Sequence, residues 1–161
     1  MRKYDFITDA MLGKLARWLR VLGYSVFYNP KVSDNELLGI ACKMGGLLLT
    51  RDRELYHKAQ EKGIQSIFIP ETDIVKILTF LYKRGVIKLR IDFNVTRCPK
   101  CNTKLEIVPR EVVRGKIPEE VLKRYNIFLQ CPNCGSIYWP GKHYTSMIRI
   151  LNYVKSSSSI K

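Results

Sequence analysis

Apolar positions follow two different periods along the first half of this chain. Short apolar runs stand at residues 4–8 (YDFIT), 25–28 (SVFY), 47–50 (LLLT) and 64–69 (IQSIFI). They have strand length, and most are bounded by Gly, Pro or Asp. Between them the spacing widens to a helical repeat. In 11–22 the apolar residues Met11, Leu15, Leu19 and Leu22 share one face, and Gly23 stops the helix. Ser33 or Asp34 caps a second helix through Lys43, with Glu36 in its first turn, and Gly45 and Gly46 end it. Asp52 opens a third helix to about residue 62, and a fourth spans about 72–83. Cys42, in ELLGIACKMG, falls on the apolar stripe and is expected to be a small core residue.

The predicted order is strand–helix repeated four times. That order argues for an α/β fold with a parallel sheet covered by helices on both faces. Right-handed crossovers then bring every strand-to-helix loop to one edge of the sheet.

The pattern changes near 84–97, which reads as a linker with an extended piece, VIKLRIDFNV. Beyond it the helix signal is weak, except for PEEVLKRY at 118–125. The final KSSSSIK is polar and is expected to lack order. The expected division is a first, α/β unit over 1–92, a smaller second unit over 93–152 and a polar tail over 153–161.

Five cysteines are present, and four form the pairs RCPKCN and QCPNCG. Each C-x-x-C turn can present two thiolates to one ion. Cys98, Cys101, Cys131 and Cys134 are therefore expected to complete a closed, tetrahedral, structural zinc site, with redox dithiols or an iron–sulfur cluster as the alternatives. The spacer between Cys101 and Cys131 is longer than usual and leaves room for the helical patch.

The formal net charge of +14 is spread over both halves. A basic excess of that size points to a polyanionic partner, RNA above all, by counterion release from phosphates. No apolar run approaches the ~18 residues of a membrane span. The first residues lack the form of a secretion signal, so the cytoplasm is the expected location.

Acidic residues recur after successive strands: Asp9, Asp34 with Glu36, Asp52, and Asp73. On a parallel sheet they would converge at one edge, where a hard divalent cation, Mg²⁺ or Mn²⁺, would relieve their repulsion and activate water. A second reading stands beside this one, because Asp is also a good helix cap. Lys14, Arg17 and Arg20 lie on the first helix, the first two placed either to meet phosphates near Asp9 or as a solvated face. In IYWPGKHY, the aromatics Tyr138, Trp139 and Tyr144 stand among Lys142 and His143. They suit stacking on unpaired bases, or packing of the ribbon against the first unit. Arg149 adds to the same basic segment.

The segments FITDAMLGKLARWLRVLGYSV, SDNELL, LLTRDREL, RCPKCNTKL and CPNCGSIYWPGKHY, in that order, resemble the Mut-seven-C RNase domain family, a PIN-like nuclease domain with a C-terminal zinc ribbon. The resemblance covers about residues 4–150. It implies a three-layer PIN-like fold, RNA as substrate and a carboxylate-bound divalent metal. It places Asp9, Asp34 and Asp52 at the family's acidic positions. The fourth acidic position of PIN nucleases has only Asp73 as a candidate. The implied activity is metal-dependent endoribonuclease cleavage, with Glu36 assisting. The alternative is a non-catalytic RNA-binding or ribosome-binding protein on the same fold.

Overall fold

The computed structural model describes residues 3–159. Four parallel strands, β1 (Phe6–Thr8), β2 (Val26–Phe27), β3 (Leu47–Thr50) and β4 (Ser66–Phe68), lie in the order β2-β1-β3-β4. Phe6 pairs with Val26 on one side and Leu47 on the other, and Thr50 pairs with Phe68. Four helices alternate with them: α1 (Gly13–Val21), α2 (Asp34–Met44), α3 (Arg53–Glu61) and α4 (Ile74–Lys83).

Strand periodicity divides the core into two layers. Phe6, Val26 and Leu49 face one side and pack with Leu15, Leu19, Leu78 and Leu81 of α1 and α4. Ile7 and Leu48 face the other side and pack with Leu37, Leu38, Leu55 and Ala59 of α2 and α3. Successive side chains of a strand point to opposite faces, so a strand buried on both sides reads as a continuous apolar run. This is the three-layer α/β arrangement expected from the sequence.

The second half forms an antiparallel sheet in the order β5-β6-β7, from β5 (Glu106–Val108), β6 (Phe128–Gln130) and β7 (Ile137–Tyr138). Two short helices, α5 (Arg110–Val113) and α6 (Glu119–Arg124), fill the long spacer between the cysteine pairs. Val113, Leu122 and Phe128 give this insertion a small core of its own.

Several expectations are corrected. The tail is not without order: α7 (Lys142–Ser159) continues through the serines, and only the last two residues of KSSSSIK lie outside the described residues. Met147, Leu151 and Val154, spaced for one helix face, join the core beside α1 and α4, so this helix closes the first unit rather than the ribbon. Cys42 is exposed, because the buried face of α2 runs through Leu37, Leu38 and Ala41 and the next residue turns ~100° away from it. Met11 is 61% exposed, because residues 10–12 form a 3₁₀ turn that buries Leu12 in its place. Residues 84–97 form no strand, yet Ile87 and Leu89 are buried in the main core.

Candidate functional site

The strand order reverses between β1 and β3. Their carboxyl ends therefore form the crevice where open α/β sheets bind ligands. Asp9 follows β1 directly and is buried. Its Oδ1 accepts the Met11 N–H at 2.8 Å and caps the 3₁₀ turn. Its Oδ2 accepts the Thr50 hydroxyl and, at 2.8 Å, the Arg51 N–H at the end of β3. Thr50 Oγ1 in turn accepts the Asp52 N–H at 2.9 Å. Asp9 and Asp52 are thus joined through one buried hydroxyl across the switch point.

Asp52 caps α3, its Oδ1 accepting the N–H groups of Glu54 and Leu55. Its Oδ2 makes no hydrogen bond among the described residues. Asp34 and Glu36 are exposed in the first turn of α2, where Ser33, not Asp34, is the cap. Asp73 caps α4 through the Lys76 N–H. Three of the four aspartates therefore act as caps. Among the described residues, Asp9, Asp34 and Asp52 do not form a group of ligand atoms within 4.8 Å of one another.

Tyr28, just past β2, closes over this edge. A Cβ on Gly13 would lie 2.7 Å from its hydroxyl, so a larger residue at the start of α1 would push the ring aside.

The four cysteines do form such a group, with sulfurs within 4.8 Å of one another. Cys98 and Cys134 sulfurs are 3.7 Å apart, and those of Cys101 and Cys131 are 3.3 Å apart. A Zn–S distance of about 2.3 Å puts the sulfurs of a tetrahedron about 3.8 Å apart, so the donor set fits a thiolate-bound metal. The two turns repeat each other. Cys98 N–H donates to Thr103 O at 2.8 Å and Cys131 N–H to Ser136 O at 2.9 Å. The residue after each second cysteine, Asn102 or Gly135, has a positive φ, of 72° and 80°. Burial opposes ionisation of Cys101, but hydrogen bonds from the Thr103 hydroxyl and backbone bring its pKa down to about 6. The Cys134 N–H reaches Cys131 Sγ at 3.4 Å. Four cysteines that could bind a structural metal such as zinc are thus in place, compatible with a zinc ribbon.

The first knuckle is also a dock. Arg20, buried on α1, donates from Nε and Nη2 to Val26 O and from Nη1 to Pro99 O at 2.9 Å. Burial pushes its guanidinium below the usual range, and the neighbouring Cys101 and Cys98 oppose that shift. Edge strand β2 is therefore covered by the ribbon instead of lying open to pairing. Neither Arg20 nor Asn102, whose side chain accepts the Val26 N–H and donates to Ser25, stood out in the sequence as an interface residue.

A cleft of about 630 Å³ lies between α1, the ribbon and the start of α7. Of the residues expected to contact RNA, Arg17, Trp139, Lys142 and His143 all line it. Lys14 and Arg149 are exposed on α1 and α7 but do not line it. The aromatics serve packing as well. Trp139 rests against the small core of the insertion, and Tyr144 meets Phe93 at 5.3 Å between ring centroids. Among the described residues, no helix is long and apolar enough to cross a membrane.

The family model described as "Mut7-C RNAse domain" matches residues 4–151, nearly the whole chain. No curated protein and no solved structure gives a significant match.

Proposed function

The chain belongs to the Mut7-C RNAse domain family, and we propose on that basis that it is a metal-dependent endoribonuclease with its reacting edge at the carboxyl ends of β1 and β3. The observation that carries this reading is the Asp9–Thr50–Asp52 link at the point where strand order reverses. Asp9 is held rigid by three donors. Asp52 keeps one carboxylate oxygen without a hydrogen bond. Asp34 and Glu36 stand exposed in the first turn of α2 and would have to draw in toward Asp9 and Asp52 for the four carboxylates to share one Mg²⁺ or Mn²⁺, a hard cation suited to carboxylate oxygens. When bound, the cation would lower the pKa of water and offset charge on the scissile phosphate. Lys14 and Arg17, exposed on α1 after Asp9, would hold the flanking phosphates. Zinc at the four cysteines would have a structural role, with no open position for chemistry. A cytoplasmic location accords with four cysteines gathered for a metal in two C-x-x-C turns.

One observation favours a second reading, a non-catalytic RNA-binding protein, with ribosomal RNA among its partners. Asp9, Asp52 and Asp73 are each accounted for as caps.

The experiment that separates the two is incubation of end-labelled single-stranded RNA with the full chain, with and without Mn²⁺ or Mg²⁺. Cleavage that requires the added cation supports the nuclease. Tight RNA binding without cleavage under either cation supports the second reading.

A further inference from the structure

We propose that the cleft between α1, the ribbon and α7 is a binding site for one unpaired nucleobase and its adjoining phosphate, resting on the reading that the chain acts on RNA. Its walls are aromatic and half-buried: Tyr125, Tyr138 and Trp139 line it, and among the described residues none of these three rings stacks on another. Tyr138 is fixed by its hydroxyl, 3.4 Å from Cys98 Sγ, so the metal-site cluster sets the position of one wall. Half-buried aromatic walls in a concave, mostly apolar site suit base stacking, and every base offers a matching face.

The charged residues fix the class of ligand. Arg17, Arg124 and Lys142 line the cleft and are exposed, and none is in an ion pair among the described residues. Glu120 is the carboxylate among the lining residues. An apolar, aromatic interior with cations in excess at its margin complements a base carrying an anionic phosphate. It does not suit an acidic peptide, whose charges would meet the apolar interior. A duplex keeps its bases stacked inside and cannot place one here without flipping it out. The occupant is therefore single-stranded.

Placement adds a consequence. Arg17 lines the cleft, and Lys14 stands three residues earlier on α1, about 4.5 Å along the helix axis, toward the Asp9 edge. A strand anchored by one base in the cleft would run past Arg17 and Lys14 to the acidic edge. The cleft would set which phosphodiester reaches it.

The test is tryptophan fluorescence of the full chain during titration with a short uridine oligonucleotide, without added Mg²⁺ or Mn²⁺. Trp18 is buried in the core and gives a constant background, while Trp139 lines the cleft. The expected result is quenching by the single strand, absent with the matching duplex. Trp139→Phe should remove the quenching, and Trp139→Ala should weaken binding by about tenfold. Arg17→Glu, at an exposed position, should weaken binding at unchanged melting temperature. An oligonucleotide lacking bases needs only the natural protein. If it bound as tightly as the intact strand, or if quenching survived in Trp139→Phe, the site would be wrong. That failure is distinct from failure of the nuclease reading, which shows as absent cleavage under Mn²⁺ while the fluorescence signal persists.

Discussion

The side-chain carbonyl of Asn102 accepts the backbone N–H of Val26 at 2.8 Å, and its amide donates to Ser25 Oγ at 3.1 Å. Asn102 occupies the left-handed position that Gly135 fills in the second knuckle. Asn tolerates that conformation and still offers a side chain, so one residue both ends a metal-binding turn and closes the edge of the parallel sheet. Asn102→Gly keeps the turn and removes the dock. Leaving the Val26 N–H without its partner should cost roughly 1–3 kcal/mol. The check is urea unfolding, with metal content unchanged.

Metal removal should act through the same joint. Among the described residues the cysteine cluster buries Leu105 and Leu129 beside Cys98 and Cys131, a small core that a bound metal would complete. Elemental analysis is expected to find one zinc per chain. Chelation should lower the melting temperature and release Arg20 from Pro99. A folded ribbon with no metal in fresh protein would contradict this.

Much of the fold was legible, because β3 and β4 are short apolar runs and the helices between strands keep a clear apolar face. What the chain builds from distant parts was not. Helix α7 places Met147, Leu151 and Val154 at helical spacing, but Arg149, Lys155 and four serines dilute the pattern, and the serines favour non-helical backbone on their own. Burial against α1 and α4 outweighs that preference. The capping roles of Asp52 and Asp73 follow from position alone. That Arg17 and Trp139 line one cleft follows from nothing local, since the first unit and the ribbon are brought together by Arg20 and Asn102.

Asp9→Asn should destabilise the protein. An ordinary exposed cap tolerates Asn, but Asp9 is buried and its two oxygens accept three donors. An amide turns one acceptor into a donor facing another donor, at a cost of about 1–3 kcal/mol. A melting temperature equal to that of the natural chain would show that the network in the structure is not formed in solution.

RNA binding should weaken steeply with salt. If Lys14, Arg17, Arg124 and Lys142 each neutralise a phosphate, the slope of log affinity against log salt is about −3 for a single strand. Lys142→Glu should weaken binding and flatten that slope. Arg149→Glu, outside the cleft, should do less. A slope near zero would exclude the electrostatic contribution.

Metal-dependent cleavage at the edge holding Asp9 and Asp52 can be tested at one residue. The most direct measurement compares Mn²⁺-dependent cleavage of single-stranded RNA by the natural chain and by Asp52→Asn. Asn caps about as well as Asp, so α3 should keep its stability to within about 0.5 kcal/mol. A hard cation, however, loses its charged ligand. The expected result is cleavage by the natural chain, its loss in Asp52→Asn, and equal RNA affinity and melting temperature for both. Undiminished cleavage by Asp52→Asn would contradict it, and would leave Asp52 a cap and nothing more.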